Sequence, residues 1–438
     1  MRCCSVMAGA IAGVSLLACG VDATQTVAPP PPPPDTVAVA SLEISPTKGA
    51  IYQSGTLPIA ALVKSADGSP LSNRTVVWTT SDSGVARVLP TGPQSASVQG
   101  VAPGNASIAA TIGSSSAILS VTVFPLPVPA KAFVWSAVTG MVALPPLAER
   151  FDSYARGIND AGVVVGSSAT HAVRWRPGGG VEDLGTLPFG AFSQANGINN
   201  SGQIVGSSTD VTDGYRAFLW TESGGMVDIG TLPGDRESVA LAISDSGIVV
   251  GLSSSAAGSR PFRWTALRGM EALPSLPPFS SGSATAVNDL GMIVGSSGND
   301  EEDYFNNRAT LWNPNGSTHE LGPCIQSHSG DSDCLTLAYG INHDGSVVGR
   351  MEGSAVRWVS GGSVTLLSTL PGVNFGEARA INNTGTVVGY FSDDTAFTTR
   401  AFLWTEQGGM QDIGVLPGTS SSEATAINNG GQIVGYSR

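Results

Sequence analysis

Charge is scarce in this chain. Asp, Glu, Lys and Arg make up 13% of its 438 residues, about half the share usual in soluble domains. Basic residues are the scarcer kind, 21 against 34 acidic ones, for a net charge of −13 with no basic run. Nucleic acid and anionic membrane surfaces both select basic patches, so neither is expected as a partner. Only four histidines occur, His171, His319, His328 and His343, at unrelated positions. There is no G-x-S-x-G elbow, H-E-x-x-H pair or P-loop, so no catalytic motif, metal site or cofactor is expected.

Glycine is abundant instead, with 56 residues, the profile of an all-β protein with many tight turns rather than a helical one. The five cysteines divide by position. Cys3, Cys4 and Cys19 fall in "MRCCSVMAGAIAGVSLLAC", which has the basic start, apolar stretch and small residue of a secretory signal and is too short for a mature membrane span. Leu16-Leu17-Ala18-Cys19-Gly20 resembles the bacterial lipobox. That resemblance implies diacylglycerol on Cys19 and, with Gly20 rather than aspartate next, an outer-membrane or surface address; an ordinary signal peptide is the alternative. Cys324 and Cys334 remain, and an exported pair this close reads as a disulfide. His328 lies between them, but a structural zinc site needs four ligands and no fourth is evident nearby.

Domain organisation follows: residues 1–19 signal, 20–36 linker, 37–123 a small domain, 124–130 a second linker and 131–438 a repeat region. Pro29 to Pro34 are consecutive prolines, an extended polyproline II spacer. Residues 37–123 alternate apolar and polar residues in short strands, as an antiparallel β-sandwich does. The order "WTTSDSGVARV", "GVAPGNASIAATIG", "SVTV" resembles the bacterial immunoglobulin-like domain of group 2, which implies a spacer or adhesion-associated module. Trp78 reads as its core.

The repeats are counted by Trp135, Trp175, Trp220, Trp264, Trp312, Trp358 and Trp404, each ending a segment such as "AFLW". A second element recurs equally often, from "GINDAGVVVG" to "AINNGGQIVG". Four short strands per unit of about 44 residues, seven times, are the signature of a β-propeller. The pattern from "AFLW" through "GGM", "D-[IL]-G-x-LPG" and "IN-x-x-G-x-[IV]-VG" resembles the bacterial HAF repeat, an extracellular repeat that implies little about function.

With "ATAIN" as the innermost strand, the chain begins on two outer strands near Ala132 and Met141 and ends on two inner ones near Ile427 and Val434. Both ends then complete one blade, which removes open edges. Asn159, Asn199, Asn288, Asn342, Asn382 and Asn428, with Ser244 in the remaining copy, open a tight turn. There a side-chain oxygen bonds backbone two residues on and glycine supplies positive φ.

These turns occupy one face and the variable loops the other, which is where binding is expected. Phe151, Phe189, Phe192, Phe279, Phe305, Phe375, Phe391 and Phe397 lie in those loops, with Tyr154, Tyr215 and Tyr304. Aromatic rings beside Asp, Asn, Ser and Arg suit a carbohydrate or a protein surface. The acidic stretch Asn299 to Asp303 reads as a solvated loop.

The chain therefore reads as a lipid-anchored, exported binding or adhesion protein whose ligand is an envelope or extracellular carbohydrate or protein. A propeller glycosidase or lyase using loop carboxylates such as Asp213, Asp235, Glu237 and Asp393 is one alternative. A structural envelope component is another. If Cys19 carries lipid, Cys19→Ser yields unacylated protein that no longer fractionates with membranes. Unchanged mass and fractionation would rule the anchor out.

Overall fold

The computed structural model describes residues 37–126, 128–212, 214–298, 307–322, 335–359, 363–367, 373, 375–393 and 398–438, excepting the Asp393 side chain. Cys19, the proline run, Asp213, the acidic stretch 299–303, Tyr304, Phe305, the Cys324, His328 and Cys334 segment, and Phe397 lie outside the described residues. Every regular element among the described residues is a strand. The chain forms two compact units divided between residues 127 and 128.

The first unit is an immunoglobulin-like sandwich. One sheet has the order β1 (Ser41–Ser45), β3 (Thr56–Lys64), β6 (Ser95–Gly100), β5 (Ala86–Gly92). The other has β2 (Lys48–Tyr52), β8 (Ser115–Phe124), β7 (Gly104–Ile112), β4 (Val77–Thr80). Alternate residues of each strand turn inward, as period two requires, so that Val63, Val98, Ile108, Leu119 and Trp78 share one core. The sandwich is not wholly antiparallel: β2 runs parallel to β8. Pro46 lies between β1 and β2. Lacking an N–H to donate, proline interrupts a ladder, and here the chain crosses to the opposite sheet.

The second unit is a seven-bladed β-propeller. Six four-stranded blades follow chain order, their inner strands at Ser153–Ile158, Ser193–Ile198, Glu237–Ile243, Ser281–Val287, Thr336–Ile341 and Phe375–Ile381. Blade 7 is composite: Lys131–Ser136 and Gly140–Ala143 supply its outer strands, and Ser422–Ile427 and Ile433–Ser437 its inner ones. The inner strands touch in succession, and that of blade 7 touches that of blade 1, so the ring is closed.

Two features of the repeat explain its sequence. The segment ending in tryptophan is the third strand, and its aromatic residues pack between blades. Trp175 of blade 1 lies with Ala132 and Val434 of blade 7, and Phe218 and Trp220 of blade 2 with Val165 and Ala172 of blade 1. Each inner strand also carries a one-residue bulge, for example between Ala155 and Gly157 and between Ala195 and Gly197. The bulge drives a carbonyl against the glycine of "VVG" or "IVG" on the second strand. A Cβ at Gly206 would stand 1.9 Å from the Gln194 carbonyl oxygen and one at Gly166 1.8 Å from that of Tyr154. No side chain fits there.

Gly206→Ala should therefore destabilise the propeller by about 1–3 kcal/mol through overpacking, read as a lower thermal midpoint. Deleting Ala424–Arg438 removes one inner strand of blade 7 and most of the other and should cost far more, since it reopens the ring and exposes strand edges. A deletion that melts like the intact chain would contradict the composite blade.

Candidate functional site

The central channel has two mouths of different construction. The turn-side mouth encloses a cavity of about 230 Å³ lined by the seven "IN" turns. The turn asparagines are buried. Each oxygen accepts the N–H four residues on, as Asn199 Oδ1 does from Gln203 (2.9 Å) and Asn428 Oδ1 from Gln432 (2.9 Å). The expected span of two residues occurs at Asn382, whose oxygen also accepts the Thr384 N–H (3.1 Å), but the bond common to all six asparagines spans four, because the asparagine spans the whole turn. The turn glycine has φ of +82° at Gly202 and +77° at Gly431, a left-handed conformation at which a side chain is strained.

The asparagine amide does something the repeat pattern did not disclose. Its Nδ2 donates to the carbonyl of the same residue in the next blade: Asn159 to Asn199, Asn199 to Ser244, Asn288 to Asn342, Asn342 to Asn382, Asn382 to Asn428, and Asn428 to Asn159. Ser244 has no amide, and the link from blade 3 to blade 4 is missing from this set. A second ring lies outside the first, where the N–H of the following residue meets the next blade's side chain, as Asn200 meets Asp245 (2.7 Å) and Asn429 meets Asp160 (2.9 Å). Burial opposes ionisation of Asp160, but hydrogen bonds from Asn429 and Asn200 outweigh it and hold its pKa below the usual value. The asparagine oxygens thus close their own turns while the amides and the following residues join blades.

The loop-side part of the channel differs. A cavity of about 310 Å³ is lined by one residue from the bulge of every inner strand: Arg156, Asn196, Leu241, Thr285, Tyr339, Arg379 and Thr425. A bulge re-aims a side chain out of the alternating pattern, and this one delivers five residue types to the axis. Blades 2, 3 and 4 give Asn196, Leu241 and Thr285. Blades 5, 6 and 1 give Tyr339, Arg379 and Arg156, and blade 7 gives Thr425, joined from the same blade by Glu423 and Tyr436.

On that richer half, the Arg379 guanidinium stacks 4.6 Å from the centre of the Tyr339 ring and pairs with Glu377 at 3.3 Å. Glu377 also accepts the Tyr390 hydroxyl (2.5 Å). Burial first, then that carboxylate, pushes the Tyr390 hydroxyl well above its ordinary pKa. Tyr436 is raised likewise by burial and by Glu423, which pairs with Arg438 at 3.5 Å. Tyr154 meets Tyr436 edge to face, centroids 4.9 Å apart.

The aromatic residues expected in loops separate into two groups. Phe151, Phe189 and Phe192 are exposed in the connections preceding the inner strands of blades 1 and 2, Phe189 by 87%. Arg150 and Phe189, in those same two connections, have φ of +72° and +67°, unusual for residues with side chains. Tyr154, Tyr215, Phe375 and Phe391, by contrast, stand on strands. Tyr215 is exposed, Phe375 is stacked by Arg350 at 4.6 Å, and Phe391 is buried in an inter-blade core and presents no surface. Phe279 is half-buried in its turn. Of the loop carboxylates, Asp235 is held by Arg260 at 2.9 Å with a buried side chain.

Arg156, Tyr339, Arg379, Glu377, Glu423, Tyr390 and Tyr436 escaped the sequence reading. The signal was present: in ARGIN, ANGIN, ALAIS, ATAVN, AYGIN, ARAIN and ATAIN the second letter varies most, and it is the bulged residue.

The family described as bacterial Ig-like domain (group 2) matches residues 38–123. No curated protein matches the chain. Among solved structures, virginiamycin B lyase from Staphylococcus aureus with quinupristin is similar at 13% identity and TM-score 0.44, over 66% of this chain and 97% of that one. A putative TolB from Agrobacterium tumefaciens is similar at 13% identity and TM-score 0.43, over 70% and 98%. The Aleuria aurantia lectin with alpha-methyl-L-fucoside is similar at 13% identity and TM-score 0.34, over 66% and 97%.

Asn428→Ala would strand the Gln432 N–H and the Asn159 carbonyl at the closure between blades 7 and 1. It should cost about 1–3 kcal/mol, seen as a lower urea midpoint. Ser244→Asn should supply the absent link to blade 4 and gain about 0.5–1.5 kcal/mol. A destabilised Ser244→Asn protein would contradict the ring.

Proposed function

We propose that the propeller is a non-catalytic binding module of an exported, lipid-anchored surface protein, and that it takes a carbohydrate at the loop-side mouth of its channel. On this reading Cys19 carries the anchor and the repeats are of the HAF type. The observation that carries the reading is the bulge position: within a repeat otherwise held to one pattern, the residue turned into the axial cavity is the one that varies. Scaffold positions answer to packing, whereas a variable ring around a concavity answers to a ligand.

The mouth is suited to a small hydroxylated molecule. The cavity of about 310 Å³ is bounded by seven strands, too narrow to admit a folded partner. Asn196, Thr285 and Thr425 provide amide and hydroxyl groups, and Tyr339 and Tyr436 provide rings. Phe151 and Phe192 precede the inner strands of adjacent blades by one or two residues, which puts exposed rings at the rim. Aromatic faces with a few fixed polar groups are what sugar sites require. Glu377 and Glu423 are each engaged by an arginine and a tyrosine, an arrangement suited to fixing side chains.

A glycan array probed with the full chain should give a defined set of bound sugars. Phe151→Ala with Phe192→Ala should weaken that binding at least tenfold while the melting temperature stays nearly fixed, because both rings are exposed. Retention of full affinity by the double variant would place the site elsewhere.

A further inference from the structure

Among the described residues, one cation of the axial cavity, Arg156, has no carboxylate partner. The buried arginine of blade 1, Arg174, illustrates how this fold otherwise treats such a group: Glu182 meets it at 2.7 Å and Glu222 at 2.6 Å. In the cavity itself Arg379 has Glu377, and Glu423 has Arg438 and Tyr436. Arg156 has neither. Among the described residues no carboxylate pairs with it, its Nε is buried without a hydrogen-bond partner, and the Tyr154 ring lies 5.9 Å from the guanidinium carbon. Burial and the neighbouring Arg379 lower its pKa, yet a guanidinium keeps its proton in proteins. A desolvated cation left unpaired is costly, and the cost is repaid when an anion arrives.

We propose that Arg156 makes the loop-side cavity a receptor for an acidic sugar, with the planar guanidinium fork receiving the sugar's oxyanion. The fork matches carboxylate and phosphate alike, and either source of oxyanion satisfies the site. The channel is electrically directional. Asp160, Asp245 and Asp289 line the turn-side mouth, which repels an anion, and the loop-side mouth, with its uncompensated Arg156, admits one. The inference rests on the loop-side mouth being the carbohydrate site and adds the charge of the ligand.

The test titrates the full chain with galactose, galacturonate and galactose 6-phosphate, with sodium acetate and inorganic phosphate as sugar-free probes. One or both acidic sugars should bind at least tenfold more tightly than galactose, and the two arms distinguish carboxylate from phosphate. Arg156→Gln should erase that preference without lowering the melting temperature, since it removes an unpaired charge. Arg156→Lys should retain part of the preference, and Arg176→Gln, an exposed control on blade 1, should retain all of it. Equal binding of neutral and acidic sugars, or a preference that survives Arg156→Gln, would overturn the proposal; so would acetate or inorganic phosphate binding as tightly as the sugars. Neutral-sugar binding that depends on Phe151 and Phe192 but not on Arg156 would overturn the anion while sparing the mouth. Acidic-sugar binding that depends on Arg156 but not on the two phenylalanines would support the anion and displace the rim.

Discussion

A single extra residue in each inner strand organises the propeller. Because a bulge places two residues opposite one, the ladder slips at that point and a carbonyl is driven toward the second strand. Glycine there is the steric consequence, as the 1.9 Å approach at Gly206 indicates. The bulged residue itself leaves the alternating pattern and turns to the axis. Past the bulge the chain has two residues before its turn, which puts the turn asparagine where it reaches both its own blade and the next. The fixed glycine, the fixed asparagine and the free position between them thus arise from one local deformation.

Ring closure distributes the polar groups that would otherwise be buried without partners. Adjacent blades are joined by apolar contacts between third strands and inner strands, but also by a regular set of side-chain to backbone bonds. The Ala132 N–H donates to Ser153 Oγ (3.0 Å) and Ala172 to Ser193 (2.8 Å), linking a third strand to the next blade's inner strand. The Leu187 N–H of the "LP" connection donates to Ser208 (2.9 Å), and Leu232 to Ser253 (3.0 Å). Buried serines in a chain so poor in charge are thereby accounted for, since a buried polar group must be satisfied. The composite blade uses the same bonds, so its two chain ends are held as the continuous blades are.

The two mouths divide the work. At the turn side every asparagine is spent on the ring, and what varies there, Ser244 and His343, interrupts one ring or the other. At the loop side the axial residues are free to differ, and blades 5, 6 and 1 carry tyrosine or arginine there while the other four do not. A cyclic scaffold with seven equivalent positions becomes a one-sided site through the choice of residue at a single register.

The sequence by itself determined the repeat count, the all-β class and the sandwich preceding the repeats, because these follow from short-range periodicity. The pairing of both chain ends in one blade followed only with "ATAIN" taken as the innermost strand, and the tertiary structure decided that phase. The sequence also disclosed that the "IN" turns are structural. What it could not disclose is which side chains meet. The two arginines of the cavity, Arg156 and Arg379, are separated along the chain by four blades and come together, with only blade 7 between them, because the ring closes. Phe391 looked like a loop residue because its segment is followed by polar residues, and strand extension buried it instead. A bulge leaves no periodic mark of its own beyond one letter of irregularity, so the position that faces the axis became legible only when tertiary structure showed seven inner strands side by side.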